Sequence, residues 1–314
     1  SYIASISSII NSGAKPVFAD VDLSSQNISP ESIKTSITHK TKAILCVHLA
    51  GWPCEMDEIV NIAKKSNLFV IEDCAQAHGA KYKNKFVGTM GDIGVFSLNV
   101  NKTIQTGEGA VCVTNDDELA YRLQLIRNHG EAVVGNAGYE NITNIAGYNY
   151  RMTEVHAAIA REQLKKLNSL NERRMQFVNK IISSIKDIPF LKPLMPREGC
   201  ISTYYILPIR YLCKEEGAKR HDYVKALNAE GALFYEGYSK PLYLQPLYSN
   251  KKLFKHGYPF AAPINKDTYQ NYSKGICKNC EELHFNEMII NEHIRPPNEL
   301  LDMEDLIKIF HKIK

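Results

Sequence analysis

The sequence predicts an α/β fold: a large domain built on a mostly parallel sheet with helices on both faces, followed by a smaller α+β domain. Three observations carry this. Short, near-continuous apolar runs recur through the first half, as expected of strands buried on both faces. Stretches with helical spacing and polar starts separate those runs, the alternation that builds a parallel sheet. From Thr153 the pattern changes to one long amphipathic run ending near residue 185.

In chain order, SYIASISSIINSG reads as helix and KPVFADV (15–21) as the first strand. PESIKTSITHKT follows as a helix from its spacing and polar start, then KAILCVHL (42–49) as a strand. MDEIVNIAKKSN reads as a helix from its spacing and polar start. The strands LFVIEDC (68–74), DIGVFSL (92–98) and GAVCVTN (109–115) complete the first sheet. The long helix TEVHAAIAREQLKKLNSLNERRMQFVNKIISSI, with apolar residues at three- and four-residue intervals, bridges to the second part. There TYYILPIRYL (203–212) reads as a strand, and HDYVKALNAEG and MEDLIKIFHKIK as helices. PREGCIS (196–202) has the character of a linker.

A chain of 314 residues exceeds what one core usually supports, so two domains are expected, 1–175 and 176–314. Lys and Arg total 38 against 34 Asp and Glu, and the resulting +4 is spread along the chain. That distribution gives no basis for a nucleic-acid interface. Eight cysteines, several inside apolar runs such as AILCVHLA, fit reduced thiols packed as small hydrophobes and a cytoplasmic location. No apolar run reaches the ~18–20 residues of a membrane span, and no membrane partner is expected. Because the sequence opens at Ser1 in what reads as mid-helix, a fragment or processed chain is expected.

The chemistry centres on FSLNVNKTIQTGEGA (96–110), where Lys102 follows an apolar strand and precedes a Gly-bearing loop. Sites in open α/β sheets lie beyond the carboxyl ends of strands, the position this gives Lys102. An isolated loop lysine is ordinarily solvated, so a second stretch matters. VIEDCAQAHGA (70–80) ends a strand with Glu72 and Asp73, with Gln76 three residues on. A carboxylate there can face the same crevice and hold a pyridinium nitrogen protonated, as pyridoxal phosphate (PLP) requires. Asp73 is the candidate, although an Asp at a strand end more often caps a helix. Glu72, on the opposite side of the strand, reads as structural.

Together these stretches resemble the DegT/DnrJ/EryC1/StrS sugar aminotransferases, of the aspartate-aminotransferase-like fold with its three-layer large domain. The resemblance runs through GAKPVFADVD (13–22), VHLAGWPCEMDEI (47–59), IEDCAQAHGA (71–80), FSLNVNKTIQTGEGA (96–110), IRNHGE (126–131), GYNYRMTEVHAAIAREQLKKL (147–167) and KPLYLQP (240–246). It implies that Lys102 is the Schiff-base lysine and proton carrier, Asp73 the pyridinium partner and Gln76 the contact to the ring's phenolic oxygen. It further implies that Ser97 holds the phosphate, that Asn149 reaches the phosphate of a neighbouring subunit in a homodimer, and that Tyr2 stacks on the ring. The family's upstream Gly-Thr phosphate cradle has no counterpart here, where the sequence begins at the aromatic. The implied reaction moves an amino group, with glutamate as the implied donor, onto a nucleotide-linked keto-deoxy sugar. Two alternatives are a non-catalytic relative and a dehydratase; in the dehydratase branch histidine replaces the lysine, so Lys102 disfavours it.

Other signals carry less. Cys277 and Cys280 supply only half of a four-ligand zinc site. TGEGA (106–110) lacks the ending of a P-loop and reads as a tight turn. The aromatics of GYSKPLYLQPLY (237–248) suit a substrate entrance or small-domain core equally. Arg151 and Arg295 are possible contacts to a diphosphate or a donor carboxylate. His48, His78 and His129 lie in the family-like motifs but read equally well as structural.

Overall fold

The computed structural model describes residues 1–130, 145–195, 197–212, 217–251, 254–265 and 270–314. Helix α1 (Ile3–Asn11) opens the chain, and α2 (Pro30–Ser36) starts at a proline behind Ser29, whose hydroxyl accepts the Ser32 N–H. Strand β1 (Ala43–Val47), helix α3 (Met56–Ser66) and strand β2 (Phe69–Asp73) form the first parallel unit, in register from Ala43↔Phe69 to Val47↔Asp73. The short strands β3 (Lys81–Tyr82) and β4 (Lys85–Phe86) make a hairpin before β5 (Ile93–Ser97) returns parallel to β2. Strand β6 (Ala110–Val113) runs antiparallel to β5, which completes the order β1-β2-β5-β6. Ile44, Cys46 and Val70 alternate into a core shared with Ile33 of α2 and Met56, Ile59 and Ile62 of α3.

Helix α4 (Asp117–Arg127) follows, capped by Asp116, and then α5 (Glu154–Ile185), capped by Thr153. No residue of α5 before Asn171 is buried, whereas Phe177, Val178, Ile181, Ile182 and Ile185 enter a second core. That core is built on a second sheet. Strands β7 (Leu191–Pro193), β8 (Cys200–Ile201), β9 (Leu207–Tyr211) and helix α6 (Arg220–Ala229) come first. They are followed by β10 (Tyr235–Glu236), α7 (Pro246–Ser249), α8 (Lys278–Glu282), β11 (Met288–Asn291) and α9 (Leu300–Lys312). The antiparallel order is β10-β11-β9-β7, while β8 crosses back to pair with β3. Each fully buried aliphatic side chain here, such as Ile181, Ile209 or Ile289, stabilises by about 1.5–3 kcal/mol relative to exposure.

Two expected strands differ. Residues 15–21 are extended but form no strand; Val21 makes only an isolated bridge to Ile28. Their backbone groups are taken by side chains instead. The Gln270 amide accepts the Phe18 N–H at 2.8 Å and donates to the Phe18 carbonyl at 3.0 Å, and Ser32 Oγ accepts the Asp20 N–H at 2.7 Å. Within 203–212 only Leu207–Tyr211 is strand, because Thr203 and Tyr205 donate their amides to the Gly51 and Ala50 carbonyls at 3.1 and 2.9 Å. This short crossing ties the second sheet to the loop after β1. No helix among the described residues is long and apolar enough to cross a membrane.

Candidate active site

Because β2 and β5 are parallel, their carboxyl ends, Asp73 and Ser97, share one edge of the sheet. Asp73 Oδ2 accepts the Ser5 hydroxyl of α1 at 2.6 Å and Oδ1 accepts the Ala75 N–H at 3.0 Å, so the carboxylate is fixed in direction. Beyond Ser97 the chain turns through a hairpin to β6. Leu98 and Val100 donate to the Gly109 and Gly107 carbonyls at 2.8 and 2.7 Å, and Gly107, at φ +83°, takes a backbone conformation that a side chain would strain. Lys102 stands at the tip of this hairpin, its amide bonded to the Asn99 carbonyl at 2.9 Å. Its Nζ lies 4.9 Å from the centre of the Tyr205 ring. Burial lowers the Lys102 pKa, while the charges of Asp73 and Glu292 oppose the shift. An amine made less basic by desolvation is the form of lysine that attacks carbonyl carbon.

Gln76 spans the crevice: Oε1 accepts the Ala50 N–H and Nε2 donates to the Tyr238 hydroxyl, both at 2.8 Å. Burial pushes the Tyr238 phenol up to about 12, with contributions from Tyr205 and Glu292 and a smaller one from Tyr2. Lys102, Asp73, Gln76, Tyr205, Tyr238 and Glu292 therefore form one electrostatic neighbourhood. Ser97 Oγ accepts the Asn99 N–H at 3.3 Å, at the base of the Lys102 hairpin. Tyr2 precedes α1 and is 60% exposed. Asn149 is not brought to Lys102 within one chain. It is exposed, bridges to Asn128, and lies between Tyr148 and Tyr150, whose rings stack at 4.9 Å.

Glu72 faces the other side of β2 and is fully buried. It accepts the N–H groups of Gly88, Met90 and Gly91 at 2.7, 2.8 and 2.6 Å, and contacts His48 Nε2 at 3.0 Å. His48 Nδ1 accepts the Cys54 N–H at 3.0 Å, which makes the ring neutral with its proton on Nε2, donated to Glu72. Ligand atoms of His48, Glu72 and Cys74 lie within 4.8 Å of one another. Every one of the His48 and Glu72 acceptors is already engaged, so the cluster works as a hydrogen-bonded anchor for the 88–91 turn. Burial acts to raise the Glu72 pKa, but the His48 contact and the Gly91 and Gly88 amides outweigh it and hold the carboxyl below its usual range. His78 is buried with neither ring nitrogen hydrogen-bonded, and burial, with the charges of Lys102 and Arg174, pulls it down to about 4. His129, at φ +63°, donates its amide to the Tyr148 carbonyl.

Sequence reasoning missed Ser5, Tyr205 and Glu292. Ser5 lies three residues after Tyr2, one helical turn along α1, and was legible in principle. Tyr205 precedes β9 and Glu292 follows β11, and neither carries a local mark. The aromatic stretch 237–248 divides: Tyr238 meets Gln76, whereas Leu242, Tyr243 and Tyr248 are core around Ile10 and Phe260. Arg151 donates to Asn128 Oδ1. Cys277 caps α8 and Cys280 lies within its first turn, which is held by the Asp20 carboxylate through the Asn279 and Cys280 amides at 2.9 and 3.0 Å.

The mostly parallel α/β sheet is that of the PLP-dependent aminotransferases of the aspartate-aminotransferase-like fold, and beyond its parallel strands lies a lysine amine made less basic by burial, in the field of a carboxylate fixed by two hydrogen bonds. Residues 1–270 match the DegT/DnrJ/EryC1/StrS aminotransferase family, and the chain belongs to it. The family is PLP-dependent. A GDP-perosamine synthase of Escherichia coli O157:H7 is 40% identical over 251 residues, 80% of this chain and 66% of that relative. This chain thus spans just under two thirds of that relative's length. The structure of an aminotransferase from Psychrobacter cryohalolentis superposes with a TM-score of 0.84 at 31% identity, over 99% of this chain and 79% of that one. An E. coli GDP-4-keto-6-deoxy-D-mannose-3-dehydratase solved with hydrated PLP gives 0.75 at 27% identity, over 96% and 75%.

Proposed function

We propose that this chain is a PLP-dependent aminotransferase that transfers an amino group, with glutamate as donor, to a nucleotide-linked keto-deoxy sugar. The observation that carries the reading is the Lys102 amine, made less basic by burial and set in the field of a carboxylate that Ser5 and Ala75 hold in place. The donor set fits PLP. When bound, the cofactor supplies a carbonyl carbon for amines and a pyridinium ring that withdraws electrons from the adjoining carbon. Asp73 would hold the ring N–H, Gln76 Nε2 the phenolic oxygen, and Tyr2 one face of the ring. Ser97 would hold the phosphate, with Asn149 from the second subunit of a homodimer. Lys102 would bind the cofactor covalently and, once released by the donor amine, carry a proton between the reacting carbons. Lys102 favours amino transfer over the dehydration named for the E. coli relative. The nucleotide-sugar substrate is supported by the GDP-perosamine synthase likeness. The free cysteines at 46, 54, 74, 112, 200, 277 and 280 support a reducing, cytoplasmic setting.

The test is to add PLP, reduce with borohydride and map the modified peptide. A reduced PLP adduct on Lys102, together with amino transfer from glutamate to a panel of nucleotide keto sugars, is the expected result. Failure to modify Lys102 overturns the reading in favour of a non-catalytic relative, and water loss without amino transfer would place the chain with the dehydratases.

A further inference from the structure

Helix α5 touches the site at two points on one face. Asn171 and Arg174, three residues apart and 5% and 3% exposed, are the first buried side chains of the helix and lead into its packed stretch at Phe177. Asn171 Nδ2 donates to the His78 carbonyl at 2.8 Å, in the loop that carries Gln76. The approach is close: a Cβ at the next residue, Gly79 (φ +84°), would stand 2.8 Å from that amide nitrogen. Arg174 Nη1 donates to Thr103 Oγ1 at 2.8 Å, one residue after Lys102. There the hairpin's own bonds lapse. Among the described residues, no amide between Lys102 and Thr106 donates to another backbone group. Ile104 buries its side chain at this tip, but an aliphatic contact has no direction. Arg295, half-buried on the other side of Lys102, reaches the Asn101 carbonyl at 3.3 Å.

Arg174 makes no ion pair with a carboxylate among the described residues, and its Nε has no hydrogen-bond partner. Burial first, and the charge of Arg295 second, pull the guanidinium down to about 10, so it keeps its proton at neutral pH. A buried cation without an ion pair costs stability that an apolar side chain of similar size would not. Its use therefore lies in what it holds, and that is the residue next to the reactive amine. We propose that Arg174 is a positioning residue for Lys102: through Thr103 it fixes the Lys102 hairpin against α5, while Asn171 sets the loop of Gln76 on the same helix face. This deepens the aminotransferase reading and rests on it. The two loops that present an amine and an amide side chain to one cofactor thereby share one rigid support, which the second core holds in place. A guanidinium suits the task, because its planar fork loses less freedom per hydrogen bond than a flexible ammonium.

The experiment uses Thr103→Val, which removes one hydroxyl and no charge, Arg174→Gln, and the two combined. On PLP-free protein, acetic anhydride labelling read by mass spectrometry gives the pH dependence of the Lys102 amine. Burial lowers its pKa against the pull of Asp73 and Glu292, with the Tyr205 ring beside it and His78 within reach of its charge. A loosened hairpin admits water, so the labelling midpoint should rise toward the ordinary 10.5 in both single variants. PLP attachment to Lys102 should weaken about tenfold, the loss of one charge-assisted hydrogen bond, while pyridoxine phosphate, which has the ring and phosphate but no aldehyde, binds unchanged. The combined variant should be no worse than Arg174→Gln alone, and Arg174→Lys should recover part of the loss. An unaltered midpoint in Thr103→Val overturns the proposal, as do additive losses in the combined variant or equal weakening of PLP and pyridoxine phosphate, which would mark a general loosening of the fold. Should Arg174→Gln not fold, Thr103→Val by itself decides. Failure of PLP to attach to Lys102 in the unsubstituted protein overturns the parent reading instead, and the labelling profile still decides this one.

Discussion

Glu72 and Asp73 are neighbours in sequence with opposite surroundings, because successive side chains of a strand point to opposite faces. Glu72 is enclosed by three amides and His48, and Asp73 is turned to the crevice by Ser5. Asp73→Asn should weaken PLP by about tenfold or more while leaving the melting temperature near that of the parent, as read by PLP titration and thermal unfolding. Glu72→Gln should act the other way round, costing about 1–3 kcal/mol of stability as expected when buried donors lose their acceptor, measured by denaturant unfolding. His78 has a sign that can be worked out. Its folded pKa is about 4 against an ordinary 6.5, so between these values the unfolded chain binds more protons. Its stabilising contribution is therefore full above pH 6.5 and is lost as pH falls toward 4, by roughly 2–3 kcal/mol. His78→Asn should flatten that part of the stability–pH curve; an unchanged slope would mean the imidazole is solvated.

Among the elements, the hairpin joining β5 to β6 and the turn that Glu72 anchors are both set by close backbone approach. A Cβ added at Gly94 would stand 2.1 Å from the Gly88 carbonyl oxygen, so strand β5 and the turn can pack only through glycine. Gly94→Ala should cost about 1–3 kcal/mol, the range for overpacking, and should also weaken PLP binding because β5 leads into Ser97 and Lys102. Circular dichroism melts and cofactor titration check the two effects. Apolar spacing marked β1, β2, α3 and the second half of α5 well, since each buries a periodic face, and it also marked β5 and β6, although β6 is largely exposed. It misplaced 15–21, where Phe18 packs edge-on against Tyr243, Tyr248 and Tyr272 rather than into a sheet and Val17 is exposed. A strand needs a neighbour, and none is encoded in its own residues.

Across the whole molecule, α5 connects the second core to the site. Its buried half packs on β9, β11 and α9, while Asn171 Nδ2 donates to the His78 carbonyl at 2.8 Å and Arg174 reaches Thr103. Ile181→Ala, made where the side chain is fully buried, should lower stability by about 2–5 kcal/mol. Denaturant unfolding should show this with cofactor attachment to Lys102 intact below the transition.

The sequence by itself determined the alternation of strands and helices, the motifs that mark the family, and the positions of Lys102, Asp73, Gln76 and Ser97 at strand ends, because periodicity and chain proximity are local properties. Tertiary structure alone decided that Ser5 orients Asp73, that Tyr205 and Glu292 face Lys102, and that Arg174 and Arg295 flank it. Those contacts join residues far apart in the chain. Their energies depend on burial and distance, quantities that exist only once the two sheets have packed.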